Sequence, residues 1–231
     1  MKCTWMKGSA LPVALLMVGS VAMAQDQSSS GSQPPAQSGS SATPATPATT
    51  PAPAAKPTVA QRKENQQDRI AQGVKSGQLT AGETANLETK EAAINGETKA
   101  DRAANGGKLT AAEKAQVNKQ QNGVSKQIYA DKHNANTAQY GNNKVGQRKE
   151  NQQDRIAQGI KSGQLTAGET AKLENQQKGI NQQVKADRAA NGGKLTSGEK
   201  QQVNKQQNAA SKNIYNKKHN AKTQPQAQPK K

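Results

Sequence analysis

The chain has 231 residues, a formal net charge of +17, 2% aromatic residues and no phenylalanine. With 31% hydrophobic residues it is too polar for a large apolar core, and its excess of 33 Lys/Arg over 16 Asp/Glu favours anionic partners. The single cysteine, Cys3, excludes an internal disulfide.

Lys2 and Lys7 precede an apolar run from Ala10 to Val21 that ends in Ala22-Met23-Ala24. This is the pattern of a secretory signal peptide, with cleavage expected after Ala24 and a periplasmic or secreted product. The run is short for a bilayer span, and Cys3 lies ahead of it, not behind it as in a bacterial lipoprotein. Cleavage would remove Cys3, Trp5, Met1, Met6, Met17 and Met23, leaving residues 25–231 without sulfur or tryptophan. Thiolate nucleophiles, zinc–cysteine sites and methionine-based copper sites are then excluded.

Residues 25–58 are a Ser/Pro/Ala/Thr-rich stretch read as a disordered linker. No proline occurs from Thr58 to Gln224, as a run of helices requires. Within that span Gln61 to Ala135 recurs at Gln147 to Ala221 with a constant offset of 86. The first copy (59–145) carries 13 Lys/Arg against 9 Asp/Glu. The second copy with the basic tail (146–222 and 223–231) carries 17 against 6, so positive charge is concentrated there.

The pattern G-x-L-T-x-x-E occurs four times, and each occurrence is a helix start. Thr80, Thr110, Thr166 and Thr196 are placed to cap, and Glu83, Glu113, Glu169 and Glu199 to return a hydrogen bond to the cap N–H. The spacing predicts helices over about 59–75, 81–104, 111–133, 145–161, 167–190 and 197–219. The fold class is therefore all-α: two tandem copies of a three-helix unit, as helical hairpins or a thin bundle. Apolar residues recur at helical spacing, as at Ile70 and Val74, or Val117, Val124 and Ile128, but each seam is narrow. Only 20 Leu, Ile and Val follow the signal, so each copy is expected to be marginal unless the copies, a homodimer or a partner add contacts.

Several chemistries fail on the residues they need. An EF-hand loop ending at Glu113 would put its first ligands on Arg102, Ala104 and Gly106, and one ending at Glu83 on Gln72, Val74 and Ser76, so calcium is not expected. His133 and His219 each share a helix face with Tyr129 or Tyr215 four residues earlier, where a helix end bounded by Asn134 or Asn220 explains them without a metal. With Tyr140 these are the only aromatics after the signal, too few for a base-stacking platform, and nucleic acid is not an expected partner. No hydrolase triad or phosphate loop is present, so neither enzymatic activity nor a cofactor is expected.

The pattern R-I-x-x-G-[IV]-x-S-G-x-L-T-x-x-E, followed by L-T-x-x-E and S-x-x-I-Y-x-x-K-H-N, covers Arg69 to Asn134 and Arg155 to Asn220. It resembles a family of secreted bacterial helical-repeat proteins of unknown function. More distantly, the four L-T-x-x-E starts are similar to the L-T-x-x-Q motifs of the Spy/CpxP periplasmic chaperones, which implies a stress-related holdase. The residues themselves favour a non-enzymatic interaction protein whose partner is an anionic envelope polymer, a lipid surface or a protein. Its expected contact surface is Lys172, Lys178, Lys185, Arg188, Lys205, Lys212, Lys217, Lys218 and Lys222. A structural spacer without a ligand is the third reading.

Overall fold

The computed structural model describes residues 56–224. The expected signal peptide with its cleavage site, the expected linker up to residue 55 and the expected tail from residue 225 lie outside the described residues. Within them the chain is all-α: α1 (Val59–Lys75), α2 (Ala81–Ala104), α3 (Ala111–Lys132), α4 (Lys144–Lys161), α5 (Ala167–Ala190) and α6 (Ser197–Lys218). No strand occurs among the described residues, and no helix there is long and apolar enough to cross a membrane.

Local chemistry sets the helix starts. Thr58, Thr80, Thr110, Thr166 and Thr196 hold extended backbone and accept a hydrogen bond from the amide three residues on. Gln61, Glu83, Glu113, Glu169 and Glu199 return the bond to the cap N–H, satisfying two orphan donors at once. α4 starts differently: Asn143 accepts from the amides of Val145 and Gly146, so that helix begins one residue before the expected Val145.

The turns after α1 and α4 rest on glycine twice over. Gly77 and Gly163 take the left-handed conformation, with φ of 71° and 70°. The reversal is closed by Leu79 and Leu165, whose N–H groups donate to the carbonyls of Gly73 and Gly159 at 3.0 Å. Each leucine side chain then lies on the helix it has just left, where a Cβ at Gly73 or Gly159 would sit 2.7 or 2.6 Å from it.

α1 packs on α4 and α2 packs on α5, while α3 covers α1 and α2, and α6 covers α4 and α5. The two copies therefore dock on each other through their first two helices. The contact is reciprocal. A Cβ at Gly82 would lie 3.6 Å from the Lys178 side chain, and one at Gly168 would lie 3.9 Å from the Cβ of Ala92. Those pairs exchange under the 86-residue offset, which makes α2 and α5 antiparallel partners in a two-fold-like contact. One apolar cluster runs through both copies, with Ile70, Val74, Leu87 and Ile128 from the first and Ile156, Ile160, Leu173 and Ile214 from the second. A smaller cluster of Ile180, Leu195, Val203 and Ala210 belongs to the second copy. Docking thus enlarges a core that neither copy assembles alone.

Two details correct the reading of the copy ends. His133 and His219 occupy the caps of α3 and α6, and Asn134 and Asn220 do not end those helices. They reach across to the Glu83 and Glu169 carboxylates at 2.8 and 2.6 Å, tying the end of each third helix to the start of the second. The tail expected from residue 223 also begins too early. Gln224 is buried, its N–H donates to the Gly163 carbonyl at 2.8 Å, and its Nε2 donates to Gln67 Oε1 at 2.8 Å.

Candidate functional site

Beneath the α1/α2 and α4/α5 contacts lies a buried polar layer. In the first copy Gln66 Nε2 donates to the Gln121 carbonyl at 2.6 Å and Gln67 Nε2 to Glu88 Oε2 at 3.1 Å. In the second, Gln152 Nε2 donates to the Gln207 carbonyl at 2.6 Å and Gln153 Nε2 to Glu174 Oε2 at 2.9 Å. Each glutamate keeps one oxygen without a partner. Burial pushes Glu88 up to about 8, opposed by the Gln67 hydrogen bond and reinforced by the Glu91 and Glu174 carboxylates. Burial likewise pushes Glu174 up to about 8, against Gln153 and the Lys149 charge.

One position in this layer differs between the copies. Gln177 donates from Nε2 to Gln152 Oε1 at 3.1 Å. Its counterpart is Glu91, and there Gln66 Oε1 and both Glu91 oxygens are left unpartnered. Burial raises Glu91 to about 7, opposed by the charges of Lys63 and Arg69. A protonated Glu91 can offer the donor that Gln177 offers; an ionised one cannot. These carboxyl groups are enclosed, and Glu88 and Glu174 lie close enough for the charge of one to act on the other across the two copies.

The surface above the layer carries two grooves related by the same offset. One, of about 620 Å³, is lined by Lys149, Lys178, Lys185 and Arg188 around Val145, Ile180 and Val184, with Thr80, Ala81 and Gly82 of the other copy along its edge. The second, of about 630 Å³, has Lys63, Lys99 and Arg102 around Val59 and Ile94, with Thr166, Ala167 and Gly168 along its edge. Each groove therefore exists only because the copies dock. In each, the N-terminus of one copy's second helix, the positive end of its dipole, faces the cationic half of its counterpart. Ala92 and Thr98 of the second groove stand where the first has Lys178 and Val184. A third recess of about 750 Å³ adjoins the first groove through Val145 and Arg188 and adds Lys144, Arg148, Lys194 and Lys200.

Like charges are close together here. Lys149 is held below the usual lysine range by burial, with Arg188 acting the same way and Glu174 opposing. Its Nζ donates to the Gln139 carbonyl at 2.8 Å and lies 5.2 Å from the centre of the Tyr140 ring. Among the described residues the one ion pair joins Lys217 to Glu169 at 3.9 Å. Neither Lys178 nor Lys185 is neutralised by a carboxylate.

The cap residues stand at the helix starts, and they carry a second duty that the sequence did not show. Glu83 is held below the usual glutamate range: burial works to raise it, but the Thr80 N–H, Asn134, the Thr80 hydroxyl and Asn136 outweigh that. Glu169 is lowered in the same way, with burial outweighed by Asn220, Thr166 and the Lys217 charge. Glu113 and Glu199 are lowered first by the amides of Thr110 and Thr196, and they accept from Asn105 and Asn191 at 2.8 Å.

The nine basic residues expected at the contact surface do not form one patch. Lys178, Lys185 and Arg188 meet in the first groove. Lys217 is paired with Glu169, and Lys218 donates to Gln158 Oε1 at 3.0 Å. Lys172, Lys205, Lys212 and Lys222 are exposed and line neither groove. Sequence reasoning missed Lys149, which α4 brings to α5, and Lys144 and Arg148, which line the third recess, Arg148 donating to Asn204 and Asn208 of α6. Their signal was the R-K-E triplet at 148–150, repeated at 62–64 with a buried-seam spacing to Gln152 and Gln153.

The chain matches no protein-family model, no curated protein and no solved structure.

Proposed function

We propose that this is a non-enzymatic, exported helical-repeat protein that binds anionic partners of the bacterial envelope or its surroundings through the basic face of its second copy. The observation that carries this reading is the near absence of charge compensation. The chain has a formal charge of +17, and the described residues contain a single ion pair. Basic side chains that were only solvated decoration would have no reason to converge on a groove at a helix N-terminus, where their mutual repulsion and the helix dipole both act against them. An anion reverses the sign of both terms. Export rests on the signal-peptide pattern of residues 1–24.

The holdase reading needs exposed apolar seams. Ile70, Leu87, Ile128, Ile156 and Ile214 are buried, and the exposed large hydrophobics are Tyr129 and Tyr215 alone among the described residues. The test is retention on an immobilised polyanion such as polyphosphate at graded salt. The protein is expected to be held at low ionic strength and released as salt rises, because exposed charges are screened over about 10 Å at 0.1 M. Passage through the column at low salt would overturn the reading.

A further inference from the structure

We infer that the groove between α5 and the N-terminus of α2 is a binding site for an anionic phospholipid, with the phosphate held by Lys178, Lys185 and Arg188 and the first acyl carbons lying on Val145, Ile180 and Val184. The inference deepens the proposed function by naming the ligand class, and it rests on that reading.

Three observations converge on an amphiphile. The groove combines both chemistries at one place: its cationic rim surrounds an apolar floor of about 620 Å³, the size range of a headgroup with part of a chain. The edge supplied by the other copy is a helix N-terminus, Thr80 to Gly82, against which the stem of Lys178 lies at 3.6 Å from the position of a Gly82 Cβ. The stem of Lys178 along that N-terminus brings its ammonium within reach of a phosphate at the Ala81 and Gly82 amides, the first-turn donors that the Thr80/Glu83 capping box leaves free. Finally, the paired groove shows what changed. Where the first-copy groove has Ala92 and Thr98, this one has Lys178 and Val184, so a cation and an apolar side chain appear together. Val184 packs on the Ile180, Leu195, Val203 and Ala210 cluster and stays partly exposed, so beside Lys178 it leaves an apolar surface that a lipid chain can use and a polyanion cannot. The second groove keeps Lys63, Lys99 and Arg102 and is the weaker of two such sites.

The experiment uses the full chain after signal removal, titrated with phosphatidylglycerol vesicles, with phosphatidylcholine vesicles and with soluble polyphosphate. Circular dichroism of each variant confirms an unchanged fold. Phosphatidylglycerol vesicles are expected to bind and phosphatidylcholine vesicles not to. The pair Lys178→Ala and Lys185→Ala should weaken vesicle binding about tenfold or more. The pair Lys205→Ala and Lys212→Ala, which removes the same charge from α6, should change it about twofold or less. Val184→Thr, the residue type of the other groove, should weaken vesicle binding about threefold and leave polyphosphate binding unchanged. Equal losses from the α5 and α6 pairs, or no effect of Val184→Thr, would overturn the site. Binding of polyphosphate without phosphatidylglycerol vesicles would overturn the lipid and leave the proposed function standing. Binding of neither would overturn both.

Discussion

The two copies share a backbone plan and differ in what they do with it. Both keep the capping boxes, the glycine-seated leucines after the first helix and the Gln–Gln–Glu layer at Gln66, Gln67 and Glu88 and at Gln152, Gln153 and Glu174. These are the parts that shape each copy, whose first two helices then dock on those of the other. Among the differences, which fall on both the second and the third helices, those at the groove replace Glu91, Ala92 and Thr98 by Gln177, Lys178 and Val184. One change completes a buried hydrogen bond and the other two rebuild a groove. The second copy is thus the better satisfied inside and the more strongly charged outside.

The largest expected effect comes from separating the copies. A fragment ending at residue 142 loses the α1/α4 and α2/α5 contacts and exposes Leu87 and Glu88. Its ten or so aliphatic residues bury too little to offset the ordering of its backbone. Far-UV circular dichroism should show it mostly unfolded at neutral pH, while the full chain melts cooperatively. A fragment that melts cooperatively by itself would mean that docking is not what holds the fold.

A smaller effect should separate the two polar layers by pH. Glu88 and Glu174 rise from the ordinary value of 4.5 to about 8, and Glu91 rises to about 7. A carboxyl group with a raised folded value contributes stability that is complete below the unfolded value and is lost as pH climbs through the folded one. Stability from these three groups is therefore present near pH 4.5 and declines up to about pH 8. The loss is about 1.4 kcal/mol for each tenfold change in proton affinity. Glu83 and Glu169 act oppositely, since their lowered values add stability above the unfolded value that is lost as the medium becomes acid. Urea midpoints should accordingly peak in mildly acid solution and fall by pH 8.5. Glu91→Gln writes the second copy's layer into the first. It should raise stability by about 1 kcal/mol or more at pH 8.5 and change it little at pH 5. Equal effects at both values would show that Glu91 is not neutral in the folded chain at low pH.

The sequence made the caps and helix limits legible because Thr-x-x-Glu acts within one turn, and such local chemistry does not depend on the partner. Four helices start where the pattern placed them, α1 starts at the expected Val59 behind a Thr58/Gln61 box, and α4 is shifted by the Asn143 cap. Docking was not legible in that way. Its surfaces include Ala71, Ala157, Glu88 and Glu174, residues that read as a solvated helix face in an unpaired copy. Gln67, Gln153, Glu88 and Glu174 are buried because the offset copy covers them, a non-local fact. A trace did exist, since Glu88 and Glu174 persist while the residues that follow them change from Thr89-Lys90-Glu91 to Asn175-Gln176-Gln177. The basic groove was half legible. Charge density pointed to the second copy, but only the antiparallel pairing of α2 and α5 selects Lys178, Lys185 and Arg188 from the others and adds Lys149.

On the proposed reading, the residues that distinguish the two grooves decide where an anionic ligand sits. The most direct measurement writes the second copy's groove into the first with Ala92→Lys and Thr98→Val, and titrates the protein with phosphatidylglycerol vesicles. A control carries the same added charge at Gln202→Lys on α6. Binding is expected to be about three- to tenfold tighter than the parent for the groove pair and to change within about twofold for the control. An equal gain from both would contradict that reading, because net charge and not groove chemistry would then set the affinity.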